Sequence, residues 1–196
     1  MAIFVIIAVL VAATAALFYV PRERARGGGE RGLKRRFGPE YERAVARHNG
    51  DVRGAERELG NRVKRHGSLK EAPLSSGARE LYVARWADIQ RQFVASPRKA
   101  VTEADALLAH LSEARGFPGG EQFEERMAAL SVHHPHRVHG YRGMHAAVRG
   151  QRSTEEMREA VLEAHGLFEA LVTEHSADSD QAVHGPPTTA ATLRGR

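Results

Sequence analysis

Residues 75–94 read SSGARELYVARWADIQRQFV. At 100° per residue, Ala78, Tyr82, Trp86, Ile89 and Phe93 fall within an arc of about 80°. A strand would need alternation with period two, which this stretch lacks. Ser75 or Ser76 supplies an N-cap, and the helix is expected to run to about Val94. The stripe holds the chain's one tryptophan. Tyr82, Trp86, Ile89 and Phe93 are therefore expected in a core, the commonest use of an aromatic stripe, with a ligand groove as the less common one.

The same period continues on both sides. Upstream, Pro39 suits a first helical turn, and Tyr41, Ala44, Val45 and His48 share one side before Asn49-Gly50 breaks the pattern. Asp51 is placed to cap a second helix, in which Val52, Ala55, Leu59 and Val63 share a face up to Gly67. The outer faces of these two helices are dense in Arg and Glu, as solvated surfaces are. Downstream, Ser96-Pro97 restarts a helix whose inner positions are Val101, Ala104, Leu107, Leu108, Leu111 and Ala114, and Gly116-Phe117-Pro118 ends it. A shorter helix is expected over 120–130. Another is expected from Pro135, with Val138, Tyr141, His145 and Val148 on one side. Ser153 and Glu156 form a capping box ahead of Met157, Val161, Ala164, Leu167, Phe168 and Leu171. The expected fold is all-α, a bundle of six or seven helices, with a short solenoid as the less favoured arrangement.

One further helix is expected ahead of the bundle. Residues 2–20 contain no charged residue, no glycine and no proline. At about 1.5 Å per residue the run covers roughly 28 Å, the thickness of a bilayer's hydrocarbon layer. Only Met1 precedes it, so the basic start of a cleaved signal is missing, and its bulky end at Leu17, Phe18, Tyr19 and Val20 is a poor cleavage site. Only Thr14 breaks the run, which leaves no polar face for a core helix. A single transmembrane helix is the expectation. Arg22, Arg24, Arg26, Arg31, Lys34, Arg35 and Arg36 follow at once. These flanking cations keep their side cytoplasmic and suit contact with anionic headgroups, which places the N-terminus outside and the long C-terminal part inside the cell membrane. The organisation expected is an anchor over 1–21, a basic glycine-containing linker over 22–36, a helical domain over 37–174 and a disordered tail over 175–196.

Charge and composition narrow the function. The net charge is +5 over 196 residues. Residues 21–37 hold seven basic and two acidic groups, whereas 38–174 hold twenty of each, so the domain lacks the footprint of a nucleic-acid binder. The absence of cysteine excludes disulfides and thiolate metal ligands. Five of the eleven histidines lie at 133, 134, 136, 139 and 145. On a helix begun at Pro135, His136 and His139 would stand about 60° apart and could share a metal, with His133 and His134 folding back. A pH-sensing cluster is the other use of such residues. No carboxylate occurs between Ser131 and Thr154 to complete or orient a ligand set. No nucleophile elbow, phosphate loop or dinucleotide fingerprint is present, and Glu124 and Glu125 fall on an outward face.

Phe37-Gly38-Pro39-Glu40-Tyr41, the Tyr82–Phe93 stripe, Gly116-Phe117-Pro118, Leu130-Ser131, His134-Pro135, Tyr141 and His145 resemble a group of bacterial single-span proteins of high-GC genomes with no assigned activity. The resemblance covers about residues 30–172. It implies the anchored helical arrangement and adds no catalytic residues. His134 and His145 belong to the shared pattern, whereas His133, His136 and His139 do not. Such proteins often carry the label "secreted", which conflicts with the flanking charges. The expected function is that of a membrane-tethered helical domain contacting the lipid bilayer and docking a protein partner, because narrow stripes on alanine-rich helices leave little lining for a cavity. A small-molecule or metal sensing domain is the alternative. Neither enzymatic activity nor a cofactor is expected.

Overall fold

In the computed structural model the described residues are 32–120 and 122–173. They form seven helices: α1 (Pro39–Arg47), α2 (Val52–His66), α3 (Ser76–Phe93), α4 (Pro97–Ala114), α5 (Phe123–His133), α6 (Val138–Arg149) and α7 (Thr154–Val172). Residues 32–37 are also helical, and no strand occurs among the described residues. No described helix is long and apolar enough to cross a membrane. The expected span at 2–20 lies outside the described residues, as do Arg22, Arg24, Arg26, Arg31 and the tail at 175–196.

Helix starts follow local chemistry. Pro39 and Pro97 occupy first-turn positions, where a missing N–H costs nothing. The Ser75 hydroxyl accepts from the Ala78 N–H at 3.2 Å. Ser153 and Glu156 close a full capping box: Ser153 N–H donates to Glu156 Oε2 at 2.8 Å, and Glu156 N–H donates to Ser153 Oγ at 3.3 Å. Asp51 and Ser96 stand at the N-cap positions of α2 and α4, but neither side chain makes the cap bond. Asn49 at φ 52° and Gly50 at φ 88° turn the chain between α1 and α2, a conformation these two residue types tolerate best.

Two helix boundaries depart from the sequence reading. α5 starts at Phe123 because Gly120, at φ +62°, sits in left-handed backbone that no helix continues through. α6 starts at Val138 and not at Pro135. The His134 carbonyl accepts from both Arg137 N–H and Val138 N–H at 3.0 Å, so residues 134–137 form a turn ahead of the helix. Pro135 disfavours helical backbone at His134, which ends α5 one residue earlier.

The core has two parts. The larger joins α3 to α7 and includes Trp86, Ile89, Leu108, Leu111, Met127, Tyr141, Met144, Leu167 and Leu171. The smaller holds Phe37, Tyr41, Ala44, Ala55, Leu59 and Val132, and seats the α1–α2 hairpin on α5. Val52, expected on that buried face, is exposed. α4 touches α3, α6 and α7, and α2 touches α5. These contacts between helices distant in sequence make a closed bundle and not a stacked solenoid. α6 lies closest to α7 at Gly140, where an added Cβ would stand 2.4 Å from the carbonyl of Glu163.

Candidate functional site

The histidines disperse. His133 Nε2 lies 2.9 Å from the His66 carbonyl, and its ring meets the Phe117 edge at 5.6 Å. His134 Nε2 lies 2.9 Å from Glu71 Oε1. His136 is exposed with its ring beneath Gly38, and His139 is exposed on α6. His136 precedes the helix, so the shared-face argument for His136 and His139 does not apply. Among the described residues no group of three His, Asp or Glu side chains is placed to hold a metal.

Carboxylates absent from the neighbouring sequence arrive from other helices and from the loop before α3. Glu71 accepts from Arg115 Nη2 at 2.7 Å and faces His134 on its other oxygen. Burial alone would raise the Glu71 carboxyl, but His134 and Arg115 overcome this and hold it down to about 2. Arg115 also donates to the Ala72 carbonyl, which ties the loop before α3 to the end of α4. His66 Nε2 stands 3.2 Å from Glu125 Oε1, and burial lowers that imidazole against the raising effect of Glu125.

His145 on α6 has the most catalytic geometry. Its Nδ1 lies 3.0 Å from both oxygens of Asp105 on α4. An aspartate in that position can hold an imidazole ready to act as a base. The working atom would be Nε2, and it is buried without a partner. The ring is stacked on Phe123 at 3.6 Å between centroids. Tyr141, one turn away, is fully buried, and burial pushes its hydroxyl up to about 12. The cluster joins α4, α5 and α6 through the Asp105 pair and the Phe123 stack.

A third ionic group was hidden in helix faces that read as solvated. Glu40 is 2% exposed and Arg62 is 5% exposed. Glu40 Oε2 lies 3.8 Å from Arg62 Nη1 and accepts from Arg142 Nη2 at 3.3 Å. Arg62 also donates to Ser131 Oγ at 3.1 Å and to Glu58. Glu58 accepts from Arg47 Nη2 at 2.7 Å as well. Burial lowers the Arg142 guanidinium from its ordinary value, and Glu40 opposes that. These pairs explain why charged residues tolerate the interface between the hairpin and α5–α6.

α3 carries two of the large apolar side chains exposed among the described residues, the others being Val52, Val94 and Leu162. Trp86 and Ile89 are buried, and Trp86 stacks on Phe168 at 4.5 Å and on His165 at 5.4 Å. Tyr82 and Phe93 are half-buried at the rim of the core. The two flanks of that stripe carry Leu81, 73% exposed, on one side and Val83, 48% exposed, on the other, while Glu80, Ala84, Asp88 and Arg91 face outward between them. A hollow on one flank is lined by Ala78, Leu81, Tyr82, Ala84 and Leu107. A hollow on the other is lined by Val83, His165, Phe168 and Val172.

Of the linker cations, Lys34, Arg35 and Arg36 are described, and all three are exposed. Lys34 Nζ pairs with Glu42 at 2.8 Å. The chain matches no family model, no curated protein and no solved structure.

Proposed function

We propose that this chain is a membrane-tethered helical domain that docks a protein partner along the exposed flanks of α3. The observation that carries the reading is α3 itself. Its inner face is satisfied by Trp86 and Ile89, yet Leu81 on one flank and Val83 on the other remain in solvent, the first beside a hollow that also holds Arg85 and Asp88 and the second beside one that also holds Arg137 and Glu169. An exposed leucine and valine beside hollows that reach Tyr82, Leu107 and Phe168 suit a contact surface. Arg79, Arg85 and Asp88 rim the helix and would supply polar contacts at the edge of an interface.

The tether rests on the sequence. Residues 2–20 supply the span, and the cations from Arg22 to Arg36 place the domain on the cytoplasmic side of the membrane. A partner in the same membrane then meets the domain at raised effective concentration. The reading assigns binding and no catalysis.

A photo-crosslinking residue at Leu81 in the full chain, expressed in cells, tests the surface. A discrete protein adduct is expected, abolished by Ala84→Arg and absent with the probe at the exposed loop residue Gln151. Equal adducts from both positions, or none from Leu81, would refute the docking face. A reporter fused after residue 174 tests orientation: activity of a periplasmic reporter there would refute the cytoplasmic placement.

A further inference from the structure

We propose that the outward face of the α1–α2 hairpin is a docking surface for an anionic lipid bilayer, so that the domain lies down on the membrane that anchors it. The inference rests on the tethered reading and extends it from the linker to the folded domain.

The domain is neutral as a whole but not evenly so. Residues 32–70 hold eleven basic and five acidic groups, while 71–173 hold twelve basic and fourteen acidic. The hairpin's acids are engaged within the structure. Glu40 meets Arg62 and Arg142, and Glu42 meets Lys34 at 2.8 Å. Asp51 lies 3.9 Å from Arg57, Glu56 accepts from the Tyr41 hydroxyl at 3.3 Å, and Glu58 takes Arg47, His48 and Arg62. The surplus cations are left outside. Arg35, Arg36, Arg43, Arg53 and Lys64 are all exposed. Among the described residues neither Arg53 nor Lys64 pairs with a carboxylate.

On α2 the cations share one face. At 100° per residue Arg53, Arg57 and Lys64 fall within about 40° of one another. The buried Ala55, Leu59 and Arg62 lie on the opposite side, roughly 180–240° from Arg53. A rigid helix therefore presents a line of positive charge directly away from the core.

Geometry selects lipid as the occupant. Gly32, the first described residue, follows Val20 by twelve residues, which reach at most about 40 Å when fully extended. The linker itself carries Arg22, Arg24, Arg26 and Arg31. Each Lys or Arg brought near an anionic leaflet is attracted to it, and the field extends about one Debye length. A hairpin held that close, with its cations in line and its acids occupied, meets the charged headgroups as its nearest polyanion.

The chain has no cysteine, so Asn61→Cys on the exposed side of α2 gives a single labelling site in the full chain. The labelled protein is reconstituted into vesicles of phosphatidylcholine alone or mixed with phosphatidylglycerol, with an energy-transfer acceptor on the headgroups. Transfer is expected to be strong with phosphatidylglycerol, weak without it, and lost at about 1 M salt, where the Debye length is about 3 Å. Arg53→Glu, Arg57→Glu and Lys64→Glu together should lower the docked fraction by about tenfold or more while leaving the far-ultraviolet dichroism unchanged. Equal transfer in both lipids, or transfer untouched by the triple reversal, would overturn the proposal. Protein that sediments only with phosphatidylglycerol vesicles and washes off in alkaline carbonate would keep this face and refute the span. Protein that sediments with neither lipid would refute both. Tight binding of duplex DNA with no lipid-dependent signal would assign the face to nucleic acid and overturn the proposal.

Discussion

Gly140→Ala should destabilise the domain although alanine is the better helix former. An added Cβ would stand 2.4 Å from the carbonyl carbon and oxygen of Glu163 and 2.7 Å from the Ala164 nitrogen. All three are backbone atoms and cannot swing aside. Ordinary contact begins near 3.4 Å, so α6 and α7 must separate by about 1 Å. A gap of that size forfeits a quarter to a half of each contact of about 0.1–0.2 kcal/mol. Some fifty such contacts around Tyr141, Met144, Leu167 and Leu171 sum to about 2–3 kcal/mol, within the range of overpacked cores. Helix propensity returns about 1 kcal/mol, leaving a net loss of about 1–2 kcal/mol. Urea unfolding of a fragment spanning 32–173, followed by circular dichroism, measures it. Gly60→Ala in α2 and Gly166→Ala in α7 are the controls, since an added Cβ at either meets nothing within 4 Å, and each should stabilise by about 0.5–1 kcal/mol. A Gly140→Ala protein as stable as the two controls would refute the close approach of α6 and α7.

Trp86→Ala should cost about 3–5 kcal/mol and abolish the blue-shifted fluorescence expected of a ring stacked on Phe168; an unchanged melt would put the stripe outside the core. Glu71 yields a pH dependence. Its carboxyl is lowered from 4.5 to about 2, so its contribution is fully present above pH 4.5 and is lost as pH falls toward 2. The stability difference between wild type and Glu71→Gln should be constant above that window, at most about 3 kcal/mol, and should close within it; a difference flat down to pH 2 would refute the pairing with Arg115 and His134. Glu40→Ala leaves Arg62 and Arg142 buried without their shared acid and should cost about 3 kcal/mol in urea unfolding, since removing one partner strands the charge of the other. A cost below about 0.5 kcal/mol would mean that water reaches the group.

The helices were legible because their signals are local. The Ser153–Glu156 box, the prolines at 39 and 97 and the 3.6-residue spacing around Trp86 each act within a few residues, and each recurs in the structure. The side-chain pairings were not legible, because they depend on which helices meet. His145 finds Asp105 forty residues away, and Arg142 finds Glu40 one hundred and two residues away. A window around the histidine cluster contains none of these acids, so it could not show the ionic joints. The same limit applies to Glu40 and Arg62, which read as solvated only until a partner is brought to them. Leu81 and Val83 border the α3 stripe, where position on the helix alone does not separate buried from exposed.

The division of the core into two parts sets a path for mechanical load. The hairpin precedes the larger core along the chain, so tension entering at residue 32 reaches Phe37, Tyr41 and Leu59 before it reaches Trp86 or Leu108. The contacts between Glu40, Arg62, Arg142 and Ser131 then act as the clasp across that joint. A pull along this axis should peel α1 and α2 away as one unit and leave α3–α7 standing. The domain would thus have a weak link at its N-terminal end and a firm one in the larger core. Pulling on single molecules by the two termini should resolve two extension steps, the first from the hairpin and weakened by Glu40→Ala.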